Sequence, residues 1–273
     1  MKDNIEDYFS GIETEKRKAL LTLMDEWRDS LADKEFAEFF NMDGFFPNYY
    51  EQKHKVLFVG REARWVTADE GNISDDIVNC DYIDFYLGCL KRDKQKNNSF
   101  WGRILRIMQL FISDGKKEYE DLANDATDYA IEMAVKGEYS FAIMNISKYC
   151  NDTKEGGKAD YYSINRFLED SQLEKRNFFQ EELKILDPDY IITFYLWNGK
   201  IKTKYLDLCF GVKTPLDEYP KTSPDGRLYE IDLIGKKVKL VDIYHPSTPS
   251  RVKPDDRGCF YTPIKELLFP VIS

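Results

Sequence analysis

The chain has 273 residues, of which 42% are apolar and 15% aromatic; this composition excludes a disordered protein and allows one large domain with a substantial core. The formal net charge of −10 excludes a protein that coats nucleic acid through a general excess of positive charge, but it is compatible with site-specific binding. No apolar run approaches the ~20 residues of a membrane-spanning helix, and residues 1–8 are charged and lack the apolar segment of a signal peptide. We therefore expect no membrane attachment.

The cysteines indicate a reducing compartment. They are odd in number, scattered, and never spaced as C-x-x-C, so we expect neither a disulfide framework nor a zinc site. The five positions are Cys80, Cys89, Cys150, Cys209 and Cys259. The expected location is the cytoplasm.

The first predicted elements are helical. Residues 13–40 carry apolar side chains at helical spacing, which predicts one long amphipathic helix or two shorter ones broken near Ala32–Asp33. A turn-rich aromatic connector follows at 41–52. The run KVLFVG at 55–60 is short, apolar and ended by glycine, which is typical of a buried parallel strand.

Helical and strand-like patterns then alternate to the end of the chain. Helices are predicted at 100–112, 121–136, 174–186 and 260–268, and further strands at 139–146, 190–195 and 237–245. This alternation predicts an α/β fold with three layers, in which a mainly parallel central sheet lies between helices. We expect the four strands to be parallel neighbours. Because we find no interdomain linker, we expect a single domain over 1–273, with 1–50 as a helical N-terminal extension.

Polar residues follow three of the predicted strands directly. The segments are Gly60-Arg61-Glu62, Asn145-Ile146-Ser147-Lys148 and His245-Pro246-Ser247. Taken singly, a carboxylate or an asparagine at such a position is more often a helix cap or a turn former. Together they lie at the carboxyl ends of strands, where parallel sheets bind ligands, so they predict a functional site.

The order of these motifs resembles the uracil-DNA glycosylase superfamily. The resemblance covers roughly residues 53–270, and its most specific parts are Asn145-x-x-Lys148 and His245-Pro246-Ser247. It implies a uracil-DNA glycosylase-like fold, a DNA or nucleotide partner, and hydrolysis of the N-glycosidic bond of uracil or another deaminated base. Such an enzyme must take the base out of the helical stack and hold it in a pocket.

The resemblance implies three sets of site residues. The catalytic pair is Glu62 and His245: the histidine donates to the departing base anion, and the carboxylate stabilises the sugar cation or activates water. The base-binding residues are Asn145, Phe100 and Gly60. The amide of Asn145 is both donor and acceptor, and Phe100 stacks on the base, with Trp101 as the second choice for stacking. The implied phosphate contacts are Ser247, Lys148, Arg61 and Arg251.

Two departures from the family keep alternatives open. Ala63-Arg64 stands where the family has a proline, and arginines on both sides of Glu62 would lower its pKa and make it a poorer base. Only Cys150 lies near a position of the four cysteines that bind an iron–sulfur cluster in one branch, so we expect no cluster, no other cofactor and no metal.

The alternatives are a binding protein of the same fold with altered chemistry, and an unrelated hydrolase; no G-x-S-x-G, P-loop or H-E-x-x-H motif supports the latter. The oligomeric state is left open.

Overall fold

A computed structural model describes residues 9, 11–32, 37, 40–64, 100–123, 125–151, 159–197, 205–219, 226–233, 235–248 and 257–270. Its helices are α1 (Ile12–Ser30), α2 (Phe100–Ile112), α3 (Ala126–Val135), α4 (Tyr161–Asp170), α5 (Phe178–Leu186), α6 (Tyr205–Phe210) and α7 (Thr262–Leu268). Its strands are β1 (Gly44–Phe45), β2 (Val56–Arg64), β3 (Ala142–Asn151), β4 (Tyr190–Phe194), β5 (Asp217–Tyr219), β6 (Gly226–Leu233) and β7 (Lys236–Ile243).

The strands form one mixed sheet in the order β1-β3-β2-β4-β7-β6-β5. The four central strands, β3, β2, β4 and β7, are parallel neighbours, which confirms the prediction made from the four apolar runs. The outer strands β1, β6 and β5 are antiparallel to their neighbours. The fold is therefore α/β, with a sheet whose centre is parallel.

Helices cover both faces of this sheet because the central strands are apolar on both faces. In β2, Leu57 and Val59 belong to one hydrophobic core, whereas Val56 and Phe58 belong to another. Side chains along a strand alternate between the two faces, so these cores lie on opposite sides of the sheet. The first core also contains residues of α1, α4, α5 and α6, and the second contains residues of α2, α3 and α7.

Several of the described residues among the first 50 pack onto the first core and the edge of the sheet. Trp27 of α1 is completely buried in the first core, stacks on Phe178 at 5.0 Å between ring centroids, and donates from Nε1 to Ser171 Oγ at 3.0 Å. The strand Gly44–Phe45 joins the edge of the sheet beside β3. Removing this region would expose one face of the core and one edge of the sheet.

Several elements differ from the predicted ones for local reasons. Helix α3 begins only at Ala126, because Asp125 accepts hydrogen bonds from the backbone of Thr127 and Asp128 and caps the helix there. Helix α5 begins four residues later than predicted, behind the cap Asn177. The predicted last helix begins two residues late, at Thr262, after a π-helical turn.

Helices α4 and α6 and strands β1, β5 and β6 were not predicted. For β6, an available signal was the alternation of buried and exposed residues in YEIDL, followed by a glycine turn into β7.

Candidate functional site

The carboxyl ends of the four parallel strands lie along one edge of the sheet. Phe194 of β4 pairs with Ile243 of β7 at that edge. Asn145 of β3 pairs in register with Gly60 of β2, but these strands continue to Asn151 and Arg64, so neither residue ends its strand as predicted. Neighbouring strands lie about 4.8 Å apart, so the backbone of β3 is roughly 14 Å from that of β7. The expected side-chain separations of roughly 4–10 Å among Glu62, Asn145 and His245 stay a prediction.

Asn145 and Gly60 lie on the face of the sheet that carries the second core. Two residues before them, Ile143 and Phe58 belong to that core, and side chains on one strand return to the same face every second residue. A Cβ atom at Gly60 would lie 2.5 Å from Asn145 Oδ1. The glycine therefore leaves the space into which the asparagine amide extends. A residue with a Cβ atom at position 60 would clash with this amide.

The amide of Asn145 is held by Asp43, a residue that was not predicted to belong to the site. The backbone N–H of Asn145 donates to Asp43 Oδ2 at 2.7 Å, and its side-chain Nδ2 donates to Asp43 Oδ1 at 3.4 Å. An ionised carboxylate only accepts hydrogen bonds, so the NH₂ side of the amide faces Asp43 and Oδ1 faces Gly60. Asn145 itself is 8% exposed.

Lys148 is the cation of a buried charge cluster, which corrects its predicted role as a phosphate contact. Its side chain is 0% exposed; the ammonium forms ion pairs with Asp43 and Glu182 and donates to the carbonyl oxygen of Asn145 at 3.0 Å. The Glu182 contact is 3.0 Å long. A side chain enclosed in this way cannot reach a phosphate in solvent. We call Asp43, Lys148 and Glu182 the buried triad.

The buried triad contains two carboxylates and one ammonium. Burial raises the pKa of Glu182 to about 8, against the attraction of Lys148. Burial likewise raises the pKa of Asp43, while Lys148 and the Asn145 hydrogen bonds lower it. Because Asp43 has the more numerous donors, we assign the ionised state to Asp43 and the proton to Glu182 at neutral pH, which leaves the triad neutral.

His245 lies in an aromatic group with Phe100 and Phe194. Its ring centroid is 5.7 Å from that of Phe100, which begins α2, and 5.9 Å from that of Phe194, which ends β4. Phe100 and Phe194 are themselves 5.7 Å apart in an edge-on arrangement. The predicted stacking residue and the predicted proton donor are therefore direct neighbours. The other histidine, His54, precedes β2 at the opposite end of the strand and contacts Asp114.

The turn after His245 determines which ring nitrogen carries the proton. The backbone N–H of Ser247 donates to His245 Nδ1 at 3.2 Å, and Ser247 Oγ lies 2.7 Å from the same nitrogen. A backbone N–H can only donate, so Nδ1 is an acceptor and a neutral ring carries its proton on Nε2. Thr248 N donates to the His245 carbonyl at 2.8 Å and closes the turn.

Arg103 holds this turn from α2 and was not among the predicted site residues. Its Nη1 donates to the carbonyl oxygens of Pro246 and of Thr248, the latter at 2.8 Å. Its guanidinium lies 4.4 Å from the ring centroid of Phe260. The only available signal was its position one helical turn after Phe100, which places the two side chains on the same face of α2.

Glu62 and Arg61 both contact the start of α4. The carboxylate of Glu62 accepts the backbone N–H of Asp160 at 3.1 Å, and Asp160 caps α4 with its own side chain. Arg61 Nη1 donates to the hydroxyl of Tyr161 at 2.7 Å. The last residues of β2 thus fix the N-terminus of α4. Arg61 therefore bonds to Tyr161 of the same chain, whereas a phosphate contact was predicted for it.

Asp242 organises the loop that follows β4. Its Oδ1 accepts from Thr193 Oγ1 at 2.6 Å and from the backbone of Leu196 at 2.8 Å, and its Oδ2 accepts from the backbone of Trp197 at 3.1 Å. Burial raises the pKa of Asp242 to about 6. Tyr195 in this loop adopts a left-handed backbone with φ of 57°. An aromatic residue takes that conformation only where its surroundings enforce it.

Among the described residues, the predicted phosphate contacts do not form one group. Ser247 is exposed and bonded to His245, Lys148 is buried, and Arg251 lies outside the described residues. Two lysines of β7 are paired with acidic neighbours: Lys236 with Asp187 and Asp189, and Lys237 with Glu230 and Asp232.

Within the part of the chain that the structure describes, no group of three or more His, Cys, Asp or Glu side chains is arranged to hold a metal ion. The helices described there also include none with both the length and the apolar content that crossing a bilayer requires. No model of a protein family matches the sequence, and a search of curated proteins found no match either.

Proposed function

We propose that the protein is a DNA glycosylase-like enzyme that hydrolyses the N-glycosidic bond of uracil or another deaminated base, in a uracil-DNA glycosylase-like site. The observation that carries the proposal is the environment of His245. Its Nδ1 accepts from the Ser247 backbone, which assigns the donor role to Nε2–H, and its ring lies beside Phe100. A fixed donor beside an aromatic face suits a departing base that stacks and becomes an anion.

The proposed reaction assigns one role to each neighbour. A base would stack on Phe100 and meet the amide of Asn145, for which Gly60 leaves room. The bond between sugar C1′ and the base nitrogen breaks, and its electron pair leaves with the base. Nε2–H of His245 then stabilises the charge that develops on a carbonyl oxygen of the base. Water adds to C1′ and loses a proton, and the products are the free base and an abasic site.

The first test is direct. Purified protein is incubated with oligonucleotides that carry a single uracil, hypoxanthine or xanthine, and alkali-induced cleavage at the abasic site is measured. We expect cleavage at one or more of these bases. Strand cleavage at none of them would reject the enzyme and favour a binding protein of the same fold.

Replacing His245 with phenylalanine should slow single-turnover cleavage by ~10²–10³-fold, because it keeps an aromatic ring beside Phe100 but removes the donor. Binding of an uncleavable substrate analogue should change little, since the donor acts on charge that develops only in the transition state. Ser247→Ala is the matched control: it removes Oγ but keeps the backbone N–H that fixes the tautomer, and the rate at saturating enzyme should fall by less than ~10-fold. Equal losses in the two variants would contradict the donor role.

The second candidate function, nucleotide or nucleic-acid binding without hydrolysis, is favoured by one observation. The Glu62 carboxylate accepts the Asp160 N–H, so a purely structural role already accounts for it. The net charge of −10 is also less suited to an enzyme that grips DNA over a wide surface.

Glu62→Gln distinguishes the two candidates, because the glutamine oxygen can still accept the Asp160 N–H while the negative charge is lost. If the carboxylate stabilises the sugar cation or activates water, single-turnover cleavage should fall by ~10² or more. The control is Asp160→Asn, which retains both a capping side chain and the backbone N–H, and should cleave at the wild-type rate. Undiminished cleavage by Glu62→Gln would reduce Glu62 to a structural partner of α4.

A further inference from the structure

The orientation of the Asn145 amide has a chemical consequence for base choice. Uracil offers a carbonyl oxygen at C4 and an N–H at N3, whereas cytosine offers an amino group at C4 and an unprotonated N3. A primary amide presents an oxygen acceptor on one side and an N–H donor on the other. One orientation of the amide therefore matches uracil, and the orientation rotated by 180° matches cytosine.

Asp43 holds that amide in one orientation through one side-chain contact, and it anchors the same residue through a second contact with its backbone N–H. It accepts the Asn145 backbone N–H at 2.7 Å and the side-chain N–H at 3.4 Å, and all of these atoms are buried. Rotating the amide would place Asn145 Oδ1 against a carboxylate oxygen, and two acceptors would then face each other without a proton. The rotation would also leave the buried Asp43 oxygen with one donor fewer.

The rest of the triad allows Asp43 to act in this way. Lys148 forms an ion pair with Asp43 and also donates to the Asn145 carbonyl, so it contacts both residues. Glu182 contacts Lys148 from helix α5. The two carboxylates thus share one cation, but Asp43 is the one that contacts the amide.

We propose that Asp43 is a positioning residue that fixes the Asn145 amide in one orientation, and thereby sets the preference of the site between bases with a C4 carbonyl and bases with a C4 amino group. The effect on base preference rests on the proposed function. The fixed orientation of the Asn145 amide does not. Lys148 keeps Asp43 ionised and in place, and the protonated Glu182 accepts a hydrogen bond from Lys148 without adding a charge.

The experiment compares two isosteric variants of the same triad. Asp43→Asn replaces the acceptor-only carboxylate with an amide that can face either side of Asn145, and it leaves Lys148 paired with Glu182. The ratio of uracil to cytosine cleavage should fall by about 10- to 100-fold, equivalent to the loss of one charge-assisted hydrogen bond. Glu182→Gln leaves Asp43, Lys148 and Asn145 in contact, and its ratio should stay within about 3-fold of wild type. Asp43→Ser, a smaller side chain, provides a second variant if Asp43→Asn does not fold, with the same expected direction.

A second measurement does not depend on any activity. Hydrogen exchange of the Asn145 side-chain amide, followed by NMR, should be slow in wild type and in Glu182→Gln, and at least ~10-fold faster in Asp43→Asn. If the wild type cleaves no base, the proposed function fails, and the exchange rates alone decide the positioning role. An unchanged exchange rate in Asp43→Asn, or an equal fall in base preference in Glu182→Gln, would overturn the proposal.

Discussion

Replacing Lys148 with methionine should reduce the free energy of unfolding by about 3–5 kcal/mol. The variant keeps most of the side-chain volume but removes the cation that both Asp43 and Glu182 contact in a site with no solvent exposure. Asp43 would then remain as an uncompensated buried charge, or take up a proton and lose its charge-assisted bonds with Asn145. Denaturant titration at pH 7 measures the loss.

The charge argument is separated from packing by adding the two compensating substitutions. In a triple variant with Lys148→Met, Asp43→Asn and Glu182→Gln, no buried charge remains, so stability should recover part of the loss. Lys237→Met serves as the surface control. Lys237 is exposed and pairs with Glu230 and Asp232, so the change should stay within about 0.5 kcal/mol. If Lys148→Met lowered the free energy of unfolding no more than Lys237→Met does, the stability of the buried triad would not depend on its cation.

Glu182→Gln should alter how stability depends on pH. Burial raises the pKa of Glu182 from 4.5 to about 8, so between these values the unfolded chain releases a proton that the folded chain retains. The wild-type free energy of unfolding should therefore fall across this window, by up to ~1.4 kcal/mol per pH unit from this group, and level off above about pH 8. Glutamine resembles the protonated glutamate, so the variant should lack this fall and be the more stable protein at pH 8.

Between pH 6 and 8, the effect of Glu182 is separated from that of Asp242. The pKa of Asp242 is raised to about 6, so Asp242 contributes a fall of the same sign at lower pH. Glu181→Gln is the matched control on the same helix. The pKa of Glu181 is lowered by its hydrogen bond with Arg176, so Glu181 is ionised in both states throughout this range. Its variant should keep the wild-type slope. A Glu182→Gln variant with that same slope would show that Glu182 is ionised in the folded protein at neutral pH.

Local patterns in the sequence determined the centre of the sheet. A strand covered by helices on both faces needs a continuous apolar run, and four such runs separated by helical spacing leave few arrangements other than neighbouring parallel strands. The same logic located the functional candidates, since the polar residues Asn145 and His245 directly follow apolar runs. Sequence patterning also provided Phe100 at the start of a helix, where the structure places it beside His245.

Tertiary structure alone decided what each polar residue contacts. Lys148 follows Asn145 by three residues and was predicted to face a phosphate, yet it lies 105 residues from Asp43 and 34 residues from Glu182 along the chain and binds both. Likewise, Glu62 contacts a helix cap 98 residues away. Periodicity within a segment reports which face of an element is buried, but it carries no information about the partner that a buried charge meets. Those partners depend on how distant segments are brought together by the packed sheet.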